Sequence, residues 1–334
     1  MFTVRCSKIQ LLPIEKVAAI YCALTCVLMV IMMPQLVNPV GMLLMRVEWL
    51  VLTLAVITLS NYLKGLSFQR LADKYKVNPF NLSAFLRVLA QMAWLPQWYP
   101  DTYEFNRSLP NMDHYFAAAD QLLFDCQPSL EFCQALPGML WSEAFNLGYF
   151  SYFPMIAALT IFVFFLDRQK GNFDRFHRVS TLIMTAFFLY YIIYIFLPVA
   201  GPQFYFQAVG VDEILQGHFP VLGTYFSDHT EMLPAPGNSN GLFNTLVHMS
   251  QSAGERPTAA FPSSHIGIST ILLMLSYRYA PRILPYLLPL WALLCCATVY
   301  IQAHYLVDAI AGLISAPLML WVSRTVVQRI LPRG

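Results

Sequence analysis

The sequence predicts an all-α polytopic membrane protein with about eight transmembrane helices and two long outer loops, and three observations carry that prediction. Of the 334 residues, 57% are hydrophobic and 11% charged. A water-facing domain carries about 25% charged residues. The apolar residues fall in runs long enough to cross a hydrocarbon core of about 30 Å, which takes about 20 helical residues. The basic residues also change sides from one run to the next. A disordered chain, a nucleic-acid binder and an ordinary cytosolic enzyme are excluded on these grounds. Runs this continuous suit helices rather than the alternating strands of a barrel, because lipid leaves backbone polar groups no partner outside the element itself.

The elements follow in order. Runs near 15–35 and 43–63 open the chain. A cleaved signal peptide is not expected, since the first run is long and no small-residue cleavage pattern follows it. The run near 83–98 is short, carries Arg87 and Gln91 and ends in Pro96, so it reads as a span or as an interfacial helix. Runs near 145–166, 178–198, 262–279, 284–302 and 304–323 complete the set. The expected division is 1–100 for N-terminal transmembrane helices, 101–144 for an outer loop or interfacial segment, and 145–334 for a catalytic transmembrane core. The second long loop, about 199–260, opens on Pro198-Val199-Ala200-Gly201-Pro202 and carries Tyr205, Asp212, His218, Asp228, His229 and His248. Those groups suit a headgroup pocket or, equally, a solvated loop. Cys6, Cys22, Cys26, Cys295 and Cys296 lie in or beside apolar runs and read as small buried hydrophobes. Cys126 and Cys133 are either a pair formed in an oxidising compartment or two separate thiols. No internal repeat and no Cys/His metal spacing occurs, so no metal and no cofactor is expected.

The net charge of +2 hides a strong asymmetry. With the N-terminus inside, Arg5, Lys8, Lys16, Lys64, Arg70, Lys74, Lys76, Arg87, Arg168, Lys170, Arg175, Arg178, Arg278, Arg282, Arg324, Arg329 and Arg333 share one face, 17 of the 20 basic residues. Arg46, Arg107 and Arg256 fall on the other, where the two long loops carry twelve acids. Cytoplasmic loops are enriched in Lys and Arg, so both termini are expected in the cytoplasm. The compact chain, without a long cytosolic tail, points to a bacterial inner membrane rather than a secretory-pathway membrane.

Ionisable residues at the edge of a spanning helix mark candidate sites. One cluster is Arg256-Pro257-Thr258-Ala259-Ala260-Phe261-Pro262-Ser263-Ser264-His265, which leads into an apolar run. Pro262 and the two serines read as a helix start. They make either a plain cap or, through free amides at the positive helix end, a phosphate site. The second cluster, Thr298 to Asp308, contains His304 and Asp308 four residues apart. On one helix that spacing stacks the two side chains a turn apart. The carboxylate would then accept the imidazole Nδ1–H and leave Nε2 free as a nucleophile. A helix-stabilising contact is the alternative. Both clusters fall at the outer face.

At these residues the chain resembles the type 2 phosphatidic acid phosphatase superfamily. That superfamily's second motif, Pro-Ser-(Gly or similar)-His, is matched by Pro262-Ser263-Ser264-His265, and the end of its third, His-x3-Asp, by His304 and Asp308. Within it the chain is most similar to the inositol phosphorylceramide synthase branch, through Phe261 to His265 and through Tyr300, His304, Tyr305, Val307, Asp308, Ala311 and Gly312. The Arg that precedes the third-motif His in the wider superfamily is replaced by Thr298 here, and the synthase branch lacks that Arg too. The Lys of the first motif, counted back from Arg256-Pro257, falls on Met249. The resemblance implies a six-helix phosphatase-like core. It implies His304 as the attacking nucleophile, Asp308 as its electrostatic support and His265 as general acid and base, with Ser263, Ser264 and Arg256 at the phosphate.

Three functions are then open. The first moves a phosphoinositol-like headgroup from a phospholipid donor to a ceramide-like lipid hydroxyl. The second hydrolyses a lipid phosphate or polyprenyl diphosphate with water as acceptor. The third is a non-catalytic membrane scaffold or transporter. No nucleic-acid partner is expected, and no oligomeric state is read from the sequence.

Overall fold

The computed structural model describes residues 10–65, 79–170, 172–237 and 241–331. Arg5, Cys6, Lys8, Arg70, Lys74, Lys76 and Arg333, and the side chains of Lys64 and Lys170, lie outside the described residues. Every apolar run named above forms a helix: α1 (Pro13–Met32), α2 (Pro39–Gly65), α3 (Pro79–Trp94), α7 (Met139–Phe150) with α8 (Tyr152–Lys170), α9 (Asp174–Phe196), α13 (Ser264–Tyr279), α14 (Leu284–Tyr300) and α15 (Leu306–Ile330). Between them lie α4 (Trp98–Asn106), α5 (Asp113–Phe124), α6 (Pro128–Ala135), α10 (Pro202–Val209), α11 (Val211–Leu215) and α12 (Leu242–Gly254). No strand occurs among the described residues.

The expected eight crossings are not all matched by helix length. Among the described residues four helices are long and apolar enough to cross a membrane, namely α1 with its 3-10 extension, α2, α9 and α15; the α7–α8 pair, bent by 46°, makes a fifth. Helix α13 has 16 residues, about 24 Å at 1.5 Å per residue, short of the hydrocarbon thickness. The chain before it, Thr258 to Ser263, is buried apart from a half-buried Phe261. Irregular backbone at membrane depth is tolerated when protein surrounds it.

Helix α9 is the axis of the bundle. Of its apolar window 78% is buried, against 28% for α1 and α2. A helix apolar all round belongs inside, and α9 packs against α1, α4, α8, α13 and α15. Helices α1 and α2 instead turn Val27, Val30, Ile31, Val40 and Leu44 outward, as lipid-facing surfaces do. Their polar residues pair inward. Arg87 of α3 holds the buried Glu15 of α1, with Nε donating to Oε1 at 2.7 Å, and Gln91 accepts from Trp49 Nε1 at 3.0 Å. Arg87 and Gln91 therefore mark the buried seam of α1, α2 and α3. Arg46 of α2 makes a two-pronged ion pair with Asp101 of α4, at 3.0 and 2.9 Å.

The segment 101–144 is largely helical, through the end of α4, α5, α6 and the start of α7. Helix α5 docks on α15. Cys126 and Cys133 are both free thiols, and Cys133 Sγ donates to the Leu130 carbonyl at 3.1 Å.

Candidate active site

Three irregular segments meet at the end of the bundle where α9 stops and α13 and α15 start: 197–201, 255–263 and 301–305. Ser263 caps α13, its Oγ accepting from Ile266 N at 3.4 Å. Its own amide donates to the Asp308 carbonyl at 3.1 Å, joining the starts of α13 and α15. Close approach is possible because Gly312 has no side chain: a Cβ there would sit 2.5 Å from Ser263 O. Tyr194, near the end of α9, accepts from Ser264 N at 2.9 Å and donates to Pro262 O at 2.8 Å. The amides expected to be free for phosphate at this helix end are thus partly engaged inside the protein.

His265 lies between the rings of Tyr149 and Tyr152, at centroid distances of 4.7 and 4.5 Å. The bend between α7 and α8 brings those two tyrosines to either side of it. His304 does not lie on a helix. It precedes α15, whose first residue is Leu306, so the expected helical stacking of His304 and Asp308 is absent. Their closest approach, Nδ1 to Oδ2, is 3.7 Å, too long for a hydrogen bond. Asp308 Oδ2 instead accepts from Tyr305 N at 3.0 Å, the N-terminal capping that an acid in a first helical turn provides.

The partner of His304 Nδ1 is the carbonyl of Ala260, at 2.8 Å. A carbonyl only accepts, so Nδ1 carries the proton and Nε2 keeps its lone pair. Nε2 faces Nδ1 of His265 at 3.5 Å. His304 is 3% exposed, and burial pushes its imidazole down to about 4, a shift that the Ala260 bond only partly offsets. It is neutral at physiological pH. Two non-glycine residues in the left-handed region, Ala259 at φ +66° and Gln302 at φ +63°, each lie within two positions of one half of the Ala260–His304 contact. Such strain persists where surrounding structure imposes it, and it concentrates at functional sites.

Two carboxylates absent from the sequence expectations fasten these segments from α5. Asp113 accepts from Ala200 N at 2.6 Å, Gly201 N at 2.8 Å and the Tyr305 hydroxyl at 2.9 Å. Asp120 accepts from Leu306 N and Val307 N, both at 2.9 Å, at the positive end of α15. Burial raises the Asp113 carboxyl, against the pull of its four hydrogen bonds. Burial likewise raises Asp120 to about 6, opposed by its two amide bonds.

The family model for the PAP2 superfamily, the type 2 phosphatidic acid phosphatases, matches residues 115–322. The chain belongs to the PAP2 superfamily. The matched stretch contains His265, His304 and Asp308 and begins inside α5. Membership supports an enzyme of the lipid phosphatase or phosphotransferase type, acting on lipid phosphates in a membrane. No curated protein and no solved structure matches the chain.

Within this PAP2 protein the residues expected at the phosphate differ in placement. Ser263 and Ser264 directly precede His265 at the start of α13. Arg256 is half-buried, and its Nη1 donates to the carbonyl of its neighbour Glu255 at 2.9 Å. No hydrogen bond or ion pair links it to His265, His304 or Asp308 among the described residues. Of the other two cations of that face, Arg46 is paired as described and Arg107 donates to the Ser227 carbonyl, with Nε at 3.1 Å. In the 199–260 segment His218 bonds Glu213 at 2.8 Å and His229 stacks on Tyr225 at 4.0 Å, remote from the histidine pair in their bonding.

Proposed function

We propose that the protein is an integral membrane phosphotransferase that moves a phosphoinositol-like headgroup from a phospholipid to a ceramide-like hydroxyl. His304 Nε2 attacks phosphorus and displaces the diacylglycerol oxygen, which takes a proton from His265. The ceramide hydroxyl then gives its proton to His265 and attacks the phosphohistidine, breaking the P–N bond. Acid–base help of this kind contributes roughly 10²- to 10⁴-fold. Asp308 supports the positive imidazole ring of the intermediate. Ser263, Ser264 and Arg256 meet the phosphoryl oxygens, and Arg256→Gln raises KM if they do.

The observation that carries this reading is the Ala260 carbonyl on His304 Nδ1, which leaves the opposite nitrogen neutral, unprotonated and facing the second imidazole. Transfer is preferred to hydrolysis because His304 is so thoroughly covered. A dry intermediate is shielded from water and remains available to a lipid alcohol.

The test is mass spectrometry of lipids from a membrane host with and without the gene. A new inositol-phosphate sphingolipid, absent with His304→Ala or His265→Ala, is expected. Loss of a lipid monophosphate without a new conjugate decides for hydrolysis. No lipid change, together with no cleavage of a short-chain lipid phosphate in detergent, leaves the scaffold or transporter.

A further inference from the structure

The three helices that carry the histidine site converge again at their other ends. Helix α9 carries Arg178 near one end and Tyr194 near the other, α13 likewise His265 and Arg278, and α15 Asp308 and Arg324. Sixteen residues of α9 or α15 cover about 24 Å. Arg178, Arg278 and Arg324, one from each helix, line a single cavity of about 120 Å³ together with Tyr279 and Gln328.

Basic residues at a helix end often do no more than reach for the membrane surface, and this cluster differs from that in its pairing. Arg175, one turn before Arg178, is matched by the buried Asp167 at 3.0 Å and also donates to the Tyr279 carbonyl at 2.9 Å. Arg178, Arg278 and Arg324 make no ion pair among the described residues, and Asp174, four positions before Arg178, makes none with it. Arg178 and Arg324 are half-buried, so water screens their repulsion less than it does at the surface. Three arginines around one partly open cavity, Arg278 of them exposed, repel one another until an anion lies between them. Guanidinium is the group best matched to phosphate oxygens, which it grips by two parallel hydrogen bonds. The volume far exceeds the about 30 Å³ that one water occupies and admits a tetrahedral phosphate.

We propose that this cavity binds a phosphate group, supplied by an anionic phospholipid in the leaflet opposite the histidine site. Basic pockets between transmembrane helices take such headgroups. Bound phosphate joins α9, α13 and α15 at the end that the network of Tyr194, Ser263 and Asp308 does not reach. The proposal is independent of the reaction at His304.

The experiment uses the purified full chain in native mass spectrometry, with phosphatidylglycerol and phosphatidylcholine offered in equal amounts, and inorganic phosphate as a third probe. Wild type is expected to retain phosphatidylglycerol preferentially, and each of Arg178→Gln, Arg278→Gln and Arg324→Gln to lower that retention by about fivefold. Arg282→Gln and Arg329→Gln, at exposed positions outside the cavity, leave it unchanged. If inorganic phosphate displaces the lipid and raises the melting temperature in an arginine-dependent way, the site takes phosphate from solution as well. Equal retention of both lipids by wild type with no phosphate effect overturns the proposal. So does a preference that survives all three substitutions. The wild-type comparison and the single variants stand even where the triple variant fails to fold.

Discussion

The Ala260 carbonyl takes over the Nδ1 contact that was expected of the Asp308 carboxylate, and Asp120 adds a tie to the start of α15. Since the Ala260 carbonyl sets the His304 tautomer, Asp308→Asn removes charge but leaves Nε2, the nucleophile proposed above, unprotonated. A fall in kcat of about 10²- to 10³-fold is expected, as for one lost electrostatic contact. A fall of about 10⁴-fold, the size seen when a catalytic histidine takes the wrong tautomer, would transfer the locking role to the carboxylate. Asp120 predicts the pH profile. As pH falls through about 6 it takes up a proton, its hold on Leu306 and Val307 weakens, and kcat/KM declines while His304 stays neutral to about 4. With a phosphodiester donor, whose phosphate does not titrate in this range, the acid limb near 6 should disappear in Asp120→Asn. A limb unchanged in that variant removes Asp120 from the argument. Stability moves the other way. A carboxyl raised by folding is stabilised by protonation, so the wild type gains thermal stability relative to Asp120→Asn as pH falls from about 6 towards 4.

At the scale of elements, the site depends on contacts between helix starts. Gly312→Ala places a methyl against the Ser263 carbonyl and must push α15 from α13. A loss of about 1 to 3 kcal/mol is expected by chemical denaturation, and a neutral result would mean that the two helices are not held at this spacing. The buried Arg46–Asp101 pair gives a second measure. Arg46→Met strands a buried carboxylate and costs about 3 to 5 kcal/mol, whereas the double variant Arg46→Met/Asp101→Leu recovers most of it. Equal losses in both would show that the charges are solvated. The same elements show how far the sequence could be read. His265, His304 and Asp308 stand out because ionisable residues are rare in apolar runs and their spacing matches a known pattern. The sequence misleads at His304 and Asp308 because a four-residue spacing means one helical face only inside a helix, and α15 begins between them. Ala260 was invisible because it acts through its backbone. Asp113 and Asp120 were hidden by distance: 192 positions separate Asp113 from Tyr305, and no local spacing announces such a contact.

At the scale of the molecule, the apolar runs alone mark where the long helices lie, whereas the central place of α9 is not legible in them. Crossing number was less legible, because buried loops complete the depth that short helices leave. The charge pattern predicts that the histidine end lies outside the cytoplasm, and labelling tests it. Gln216 and Asn172 are exposed in segments at opposite ends of α9. In intact cells Gln216→Cys should react with a membrane-impermeant thiol reagent and Asn172→Cys should not; the reverse result inverts the orientation. One feature of the resting site reaches beyond its local geometry. With the imidazoles 3.5 Å apart, no phosphorus fits between them, and a substrate enters only by separating the rings. A lipid can drive that separation only with binding energy that its remote groups gain against the protein. A water-soluble phosphate ester has no such remote anchor, so its handicap falls on kcat rather than on KM alone. On the mechanism proposed above, the close histidines act as a selectivity filter in time: the nucleophile is uncovered only while a lipid is seated.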